Sequence, residues 1–246
     1  MRAADVVVAD FVVGQMDTLR IGILGASFNP AHIGHVRLAL EAREMLALSH
    51  VDLLPCALPP HKPATGILPF ALRVRLLHAA IQGLDGLRIN PMEGERAGPS
   101  YTWDSLQDYA IRQPRARHFF LLGCEDFRTL PQWRKGLDLP RLADFVVVPR
   151  DGAGVERFTQ AVRQNWPEAA PCPPDPAAPL TALPDARTFA LPEGARLLFL
   201  PLTRLDVSAS LLRSRFMAGL DLRFLLPQAS LECLEAERAT VEACWK

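Results

Sequence analysis

Apolar residues along this chain alternate between short continuous runs and longer stretches with a helical period. The first run covers residues 20–24 and ends at a glycine, and the apolar positions between 38 and 46 then recur with the spacing of one helix face. A second run, at 51–55, stops at a proline. A strand, a crossover helix and a strand within about 35 residues predict a βαβ unit, from which parallel sheets are built.

The same alternation continues towards the end of the chain. Further elements are predicted as helices at 70–81, 102–111, 208–218 and 227–243, and as strands at 87–90, 118–122, 144–148 and 196–200. Continuous apolar runs are typical of strands that are buried on both faces. The pattern therefore predicts an α/β fold, a Rossmann-like doubly wound parallel sheet with ligands at the carboxyl ends of its strands. A small helical C-terminal segment is expected at about 207–246.

Two segments do not follow this alternation. Residues 1–15 carry apolar triplets flanked by aspartates and no clear signal-peptide cleavage site, so we expect a disordered extension, with Met16 as a candidate second start. Residues 167–192 hold eight of the 22 prolines, a density that excludes helix and central strand. We expect a surface excursion or mobile loop there, inserted into a single domain that spans 16–246.

Composition narrows the class of partner. The 27 basic and 27 acidic residues balance, so the charge does not favour nucleic acid or a membrane surface, and no run of 18 apolar residues occurs. The five cysteines are scattered and odd in number, without a C-x-x-C pair. This usage is typical of a reduced, cytoplasmic protein.

The junction between the first predicted strand and helix carries the strongest candidate chemistry. Residues 25–35 read G-A-S-F-N-P-A-H-I-G-H, so His32 and His35 flank Gly34 where the helix is predicted to begin. A strand that leads through a loop into a helix directs free backbone N–H groups and the positive helix end towards a ligand above the sheet. The junction therefore predicts an anion site, although two histidines at this spacing also occur by chance.

Motifs of rival functions are missing from this stretch. It contains neither the dinucleotide fingerprint G-x-G-x-x-G nor the Walker motif G-x-x-x-x-G-K-[ST], and no H-E-x-x-H. A Rossmann-type dehydrogenase and a zinc protease are therefore disfavoured, and no metal-ligating residues are predicted.

Further motifs stand where predicted strands end or predicted helices begin, and each also has an ordinary structural interpretation. They are P-P-H-K at 59–62, S-Y-T at 100–102, G-C-E-D at 123–126 followed by Trp133, and V-S-A-S-L-L-R at 207–213. The hydroxyl groups suit helix N-caps, the prolines suit a turn, and a tryptophan most often packs in a core. Taken singly, none of these motifs decides a function.

Taken together and in order, these motifs resemble the nucleotidyltransferases with an H-x-G-H motif, and among them the bacterial nicotinate-nucleotide adenylyltransferases. The resemblance runs from about Arg20 to about Glu237, apart from the proline-rich stretch. Residues 25–35 are similar to G-G-[ST]-F-[DN]-P-x-H-x-G-H, and residues 207–213 to I-S-[SA]-[ST]-x-[IL]-R. With an R-x-[LY]-[LI]-P tail at 223–227, six motifs occur in the family's order, which is a specific signal.

The resemblance implies adenylyl transfer from ATP to nicotinate mononucleotide, with Mg²⁺ accompanying ATP and the oligomeric state left open. By family role, phosphate contacts and catalysis fall to His32, His35, Lys62 and Arg213. The ATP contacts that it implies are at Gly25, Ala26, Ser27, Phe28, Gly34, Gly123, Glu125, Ser208 and Ser210. The mononucleotide contacts that it implies are at Tyr101, Thr102 and Trp133.

Two positions depart from the family pattern and keep alternatives open. Ala26 and Glu125 stand where glycine and aspartate are usual. They leave room for a degenerate paralogue that binds nucleotide without turnover, although the four implied phosphate ligands are all retained. A different acceptor, such as nicotinamide mononucleotide or phosphopantetheine, is a further alternative, but Tyr101, Thr102 and Trp133 favour a pyridine nucleotide.

Overall fold

An eight-stranded sheet forms the centre of the computed structural model, which describes residues 18–60, 65–149, 154–178 and 183–246. In chain order the strands are β1 Arg20–Ala26, β2 His50–Pro55, β3 Leu87–Ile89, β4 Arg117–Gly123, β5 Asp144–Val148, β6 Ala170–Pro171, β7 Arg187–Ala190 and β8 Arg196–Phe199. They are arranged in the order β3-β2-β1-β4-β5-β8-β7-β6. The first five strands and β8 run parallel, whereas β7 pairs antiparallel with both β8 and β6.

Helices cover both faces of the sheet. In chain order they are α1 Ile33–Met45, α2 Phe70–Ala80, α3 Thr102–Arg112, α4 Cys124–Thr129, α5 Gly154–Asn165, α6 Ala209–Met217, α7 Gln228–Ala236 and α8 Arg238–Trp245. Short 3-10 helices lie at Met92–Glu95, Leu130–Gln132 and Gly136–Arg141. None of the helices within the described ranges is long and apolar enough to span a membrane.

Neighbouring residues of the central strands contribute to different hydrophobic clusters because strand side chains alternate between faces. Ile23 and Phe120 belong to the cluster that contains residues of α3, α4 and α5. Leu24 and Leu121, one position further along, belong to the cluster that contains residues of α1 and α2. A third cluster joins α2 to α6, α7 and α8. The predicted doubly wound α/β fold with a helical C-terminal segment is confirmed.

Most predicted elements are present, with differences of one or two residues at their ends. The helix predicted at 227–243 is in fact two helices, α7 and α8, on either side of Glu237. The prediction missed α4, which has only six residues, and α5. The second omission was avoidable, because the buried Phe158, Ala161 and Val162 of α5 have the spacing of one helix face.

The proline-rich segment is not simply a loop, so the expectation for 167–192 is wrong where β6 and β7 extend the sheet. β7 contains no proline, and the single proline of β6 lies in the edge strand, where a missing N–H is tolerated. Asp175 of this segment accepts hydrogen bonds from Arg20 at 2.9 Å and Arg117 at 2.8 Å. It therefore anchors the segment at the amino ends of β1 and β4. The extension predicted at 1–15 lies outside the described residues.

A set of buried polar side chains lies between the sheet and α3. The Tyr109 hydroxyl donates to Asp52 Oδ2 at 2.9 Å, and Asn90 Nδ2 donates to the Tyr109 oxygen at 2.9 Å. His118 packs edge-on against the Tyr109 ring, and His50 lies 3.5 Å from the Asp52 carboxylate. Burial lowers the pKa of both histidines and outweighs the opposing effect of the Asp52 charge.

We expect the free energy of unfolding to fall as the pH drops below about 6.5, because the unfolded chain then binds protons that the buried histidines do not bind in the folded protein. His118→Gln should reduce this dependence in urea unfolding at pH 7.5 and pH 5.5. His78→Gln alters an exposed histidine of α2 and is the matched control. The same pH dependence in both variants would contradict the role of His118.

Candidate active site

The strand order reverses direction between β1 and β4, which is where doubly wound sheets bind ligands. From β1 the chain continues to β2 and β3 on one side, and it returns on the other side at β4. The carboxyl ends of these two strands open on a smaller cavity of about 240 Å³ and a larger one of about 610 Å³. Both cavities are lined by Gly25, Ala26, Phe120, Asp126 and Trp133. They therefore form one cleft with two compartments.

The smaller cavity contains the start of α1. His32, Gly34 and His35 line it, and Gly123 and Ser208 reach it from other elements. A Cβ on Gly34 would lie 3.0 Å from Val207 Cγ1 and 3.1 Å from His32 Nδ1. Glycine at this position therefore lets the first turn of α1 approach the segment that precedes α6.

The two histidines are held against each other. Their ring centroids are 3.7 Å apart, and the His32 backbone N–H donates to His35 Nδ1 at 3.2 Å. A ring nitrogen that accepts a hydrogen bond carries no proton, so in the neutral His35 ring the proton is on Nε2. Phe28 packs edge-on against the same ring. His35 is therefore fixed as a hydrogen-bond donor through Nε2 in the smaller cavity.

The larger cavity contains two aromatic side chains and the start of α3. Tyr101, Thr102 and Trp133 line it, and Thr102 is the first residue of that helix. The indole N–H of Trp133 donates to Thr129 Oγ1 at 3.2 Å, which orients the ring. A planar ligand can stack on such a ring, while an anionic substituent is favoured near a helix start.

Ser100, the residue before Tyr101, fastens the loop that follows β2. Its hydroxyl oxygen accepts the backbone N–H groups of Ala57 at 3.1 Å and Leu58 at 3.2 Å. The first residue of the S-Y-T motif therefore has a structural role. By fastening this loop, Ser100 helps to place Tyr101 and Thr102 in the larger cavity.

Arg73 of α2, which the sequence reasoning missed, holds the wall of the larger cavity in place. This side chain is 1% exposed, and burial lowers the pKa of its guanidinium. It donates to the backbone oxygens of Leu68 at 2.9 Å, Ser27 and Cys56 at 2.7 Å each, and Ala57 at 3.2 Å. Because Ser27 follows β1 and Cys56 follows β2, Arg73 ties together the two loops that carry the site.

Asn29 makes a second set of connections between these loops. Its side chain accepts the N–H of Leu68 at 2.9 Å and donates to the Gly66 oxygen at 2.7 Å. Its own backbone oxygen accepts a hydrogen bond from Arg213 Nη1 at 2.9 Å, and Arg213 Nη2 donates to Ser210 Oγ at 3.0 Å. The start of α6 is therefore attached to the loop that precedes the histidines.

The sequence profile of the cytidylyltransferase-like family matches residues 23–215 of this chain. The chain is 34% identical over 209 residues to the probable nicotinate-nucleotide adenylyltransferase of Pelobacter propionicus, a match covering 85% of this chain and 92% of that protein. It is 32% identical over 225 residues to the protein of the same description from Citrifermentans bemidjiense, covering 92% of this chain and all of that protein. The chain belongs to the nicotinate-nucleotide adenylyltransferases.

Solved structures show the same fold. The nicotinic acid mononucleotide adenylyltransferase of Plasmodium falciparum, solved in complex with NaAD, superposes with a TM-score of 0.64 over 90% of this chain and 97% of that chain, at 14% identity. A second structure of that protein, in complex with APC, has a TM-score of 0.63. The adenylyltransferase fold is thus retained at low sequence identity.

The fold brings most of the predicted adenylyltransferase residues to the cleft. Those at the smaller cavity are Gly25, Ala26, His32, Gly34, His35, Gly123 and Ser208, and those at the larger cavity include Ser27, Tyr101, Thr102 and Trp133. Lys62 lies outside the described residues. The described part of the chain has no group of three or more His, Cys, Asp or Glu residues that could bind a metal ion.

Three predicted ligands lie beside the cleft rather than in its lining. The Phe28 side chain is 1% exposed and packs in the core, edge-on against the His35 ring. Arg213 donates hydrogen bonds to the Ser210 hydroxyl oxygen and to the backbone oxygen of Asn29. In this structure, Arg213 connects α6 to the loop that precedes α1.

Glu125 is also displaced from the position that the family pattern implies. It lies in the first turn of α4 with an exposed carboxylate, which pairs with Arg128 at 2.9 Å and Arg157 at 3.5 Å. Consecutive helix residues point about 100° apart. As a result the next residue, Asp126, lines both cavities, while Glu125 lines neither of them.

Proposed function

We propose that this protein transfers the adenylyl group of ATP to nicotinate mononucleotide and releases pyrophosphate. The observation that carries the proposal is the cleft with two compartments at the carboxyl ends of β1 and β4. One compartment has a histidine pair at a helix start, which suits phosphates. The other has Tyr101 and Trp133, which suit a planar pyridine ring. Their shared wall would hold the two reacting phosphates next to each other.

In this proposal the smaller cavity binds ATP and the larger cavity binds the mononucleotide. A phosphate oxygen of the mononucleotide attacks the α-phosphorus of ATP in line, and the bond to the bridging oxygen of the departing pyrophosphate breaks. The attacking phosphate is already ionised, so the protein has no proton to remove. Its contribution is to position the two phosphates and to stabilise charge, and His35 Nε2–H is the donor for the transferring phosphoryl group.

Mg²⁺ enters this proposal as part of the substrate, bound to the phosphate oxygens of ATP, because hard cations prefer such ligands. We also propose that Lys62 makes the phosphate contact that the family resemblance implies. We also propose a cytoplasmic reaction without nucleic acid or membrane partners. All five cysteines lie in the described ranges, and none of them is in a disulfide, which supports a reducing compartment.

The test is pyrophosphate release from ATP and Mg²⁺, with nicotinate mononucleotide or nicotinamide mononucleotide supplied in separate reactions. We expect release that strongly favours the nicotinate form, and no release without an acceptor. Release with only the nicotinamide form would assign a different acceptor. If ATP bound in calorimetry but neither acceptor reacted, the protein would be a nucleotide-binding relative without turnover.

Trp133→Ala should raise the KM for nicotinate mononucleotide about 10-fold, because stacking of a base on an aromatic side chain contributes about 1–3 kcal/mol. The change in kcat should be smaller, since stacking acts on the pyridine ring and not on the reacting phosphate. Trp133→Phe keeps an aromatic surface and should recover part of the loss. Steady-state kinetics with ATP saturating measure both constants, and an unchanged KM in the alanine variant would remove Trp133 from the mononucleotide site.

A further inference from the structure

Among the residues that the structure describes, charge in the larger cavity is concentrated on three side chains. The described residues that line it include two acids, Glu93 and Asp126, and a single cation, Arg134. Glu93 is committed to the wall, since its carboxylate accepts the Ser105 hydroxyl at 2.6 Å and the Ala57 N–H at 3.4 Å. Arg134 is therefore the side chain in this part of the lining that can attract an anionic group.

Arg134 lies among the aromatic residues of the cavity. It directly follows Trp133, and its guanidinium carbon is 4.9 Å from the centre of the Tyr101 ring. Nη1 donates to Oδ2 of Asp104, which lies in the first turn of α3, at 2.8 Å. A guanidinium has five N–H groups, so this ion pair orients the group and leaves other donors for a ligand. The side chain is 49% exposed, which keeps it accessible from the cavity.

We propose that Arg134 determines the choice between the acidic and the neutral pyridine ring. Its guanidinium would pair with the ring carboxylate of nicotinate mononucleotide, for which a planar fork of donors is well suited. The carboxamide of nicotinamide mononucleotide carries no charge and gains less from the same group. This inference rests on the proposed function, and it adds to it the residue that sets specificity.

A different role for Arg134 makes a different prediction. If the guanidinium held the phosphate of the mononucleotide, both nucleotides would depend on it equally, because they carry the same phosphate. A purely structural role, through Asp104 and Tyr101, would also affect both nucleotides alike. The ratio of the two kcat/KM values therefore isolates recognition of the ring carboxylate.

The decisive variant is Arg134→Gln, assayed with each mononucleotide. We expect kcat/KM to fall about 10- to 100-fold with the nicotinate form, which is the usual range for a charge-assisted hydrogen bond, and less than about 3-fold with the nicotinamide form. Arg134→Lys keeps the charge but not the fork and should be intermediate. Arg112→Gln removes an exposed arginine from the last turn of α3 and is the matched control.

Equal losses with both nucleotides, or no loss with either, would overturn the assignment of Arg134. Calorimetric affinities of the same variants for the two mononucleotides test it independently of turnover. Failure of the proposed function has a separate signature, namely a wild-type protein that binds ATP but releases no pyrophosphate with the nicotinate form. A wild-type protein that neither bound nor used the nicotinate form preferentially would overturn both proposals.

Discussion

Replacement of His35 by alanine is expected to lower kcat about 10²- to 10³-fold, the usual cost of removing one donor to a transition-state oxygen. The KM for nicotinate mononucleotide should change much less. The reason is that charge on the transferring phosphoryl group develops only during the reaction, so a donor directed at that group acts on the transition state. The bond from the His32 N–H to Nδ1 leaves Nε2 as the donor.

Two further variants at this position separate the donor Nε2 from the hydrogen bond that Nδ1 accepts from the His32 N–H. Asparagine keeps an acceptor near Nδ1 for the His32 N–H but has no group that reaches the place of Nε2. Glutamine reaches that place and offers an N–H there. We therefore expect His35→Asn to be as slow as the alanine variant with a near-normal melting temperature, and His35→Gln to recover part of kcat. Normal turnover by His35→Asn would refute the Nε2 donor.

How much of the site follows from the sequence depends on the kind of residue. β1, β4 and β5 could be predicted closely, since they are continuous apolar runs with clear ends and are buried on both faces. The position of the histidine pair then follows, because the short loop after the first of these strands leads to it. β7 could not be predicted in the same way, because its four residues are stabilised by partners on either side rather than by a pattern of their own.

Side-chain roles were harder to predict than elements. A one-residue difference in position along α4 separates the exposed Glu125 from Asp126 in the cleft, and a motif alignment cannot resolve such a rotation. In the sequence Arg73 is one arginine among many, within an amphipathic helix. Its importance comes from backbone oxygens in loops that are distant in sequence, and only the tertiary structure brings these together.

Arg73→Met should therefore destabilise the protein by about 3 kcal/mol or more. The substitution leaves four buried backbone oxygens without their donor, each of which costs about 1–3 kcal/mol, while removal of a buried charge offsets part of that loss. For a chain of this size the melting temperature should fall by about 6–12 °C. The KM for the mononucleotide should also rise, because Ser27 and Cys56 line the larger cavity.

Arg75→Met is the matched control, since Arg75 lies two residues further along α2, is exposed and pairs with Glu237 at the surface. Surface ion pairs contribute about 0–1 kcal/mol, so this variant should melt close to the wild type. Arg73→Lys keeps the charge with fewer donors and should be intermediate in both melting temperature and KM. If Arg73→Met were as stable as Arg75→Met, the loops after β1 and β2 would be held by other contacts, and the mononucleotide site would not depend on this buried guanidinium.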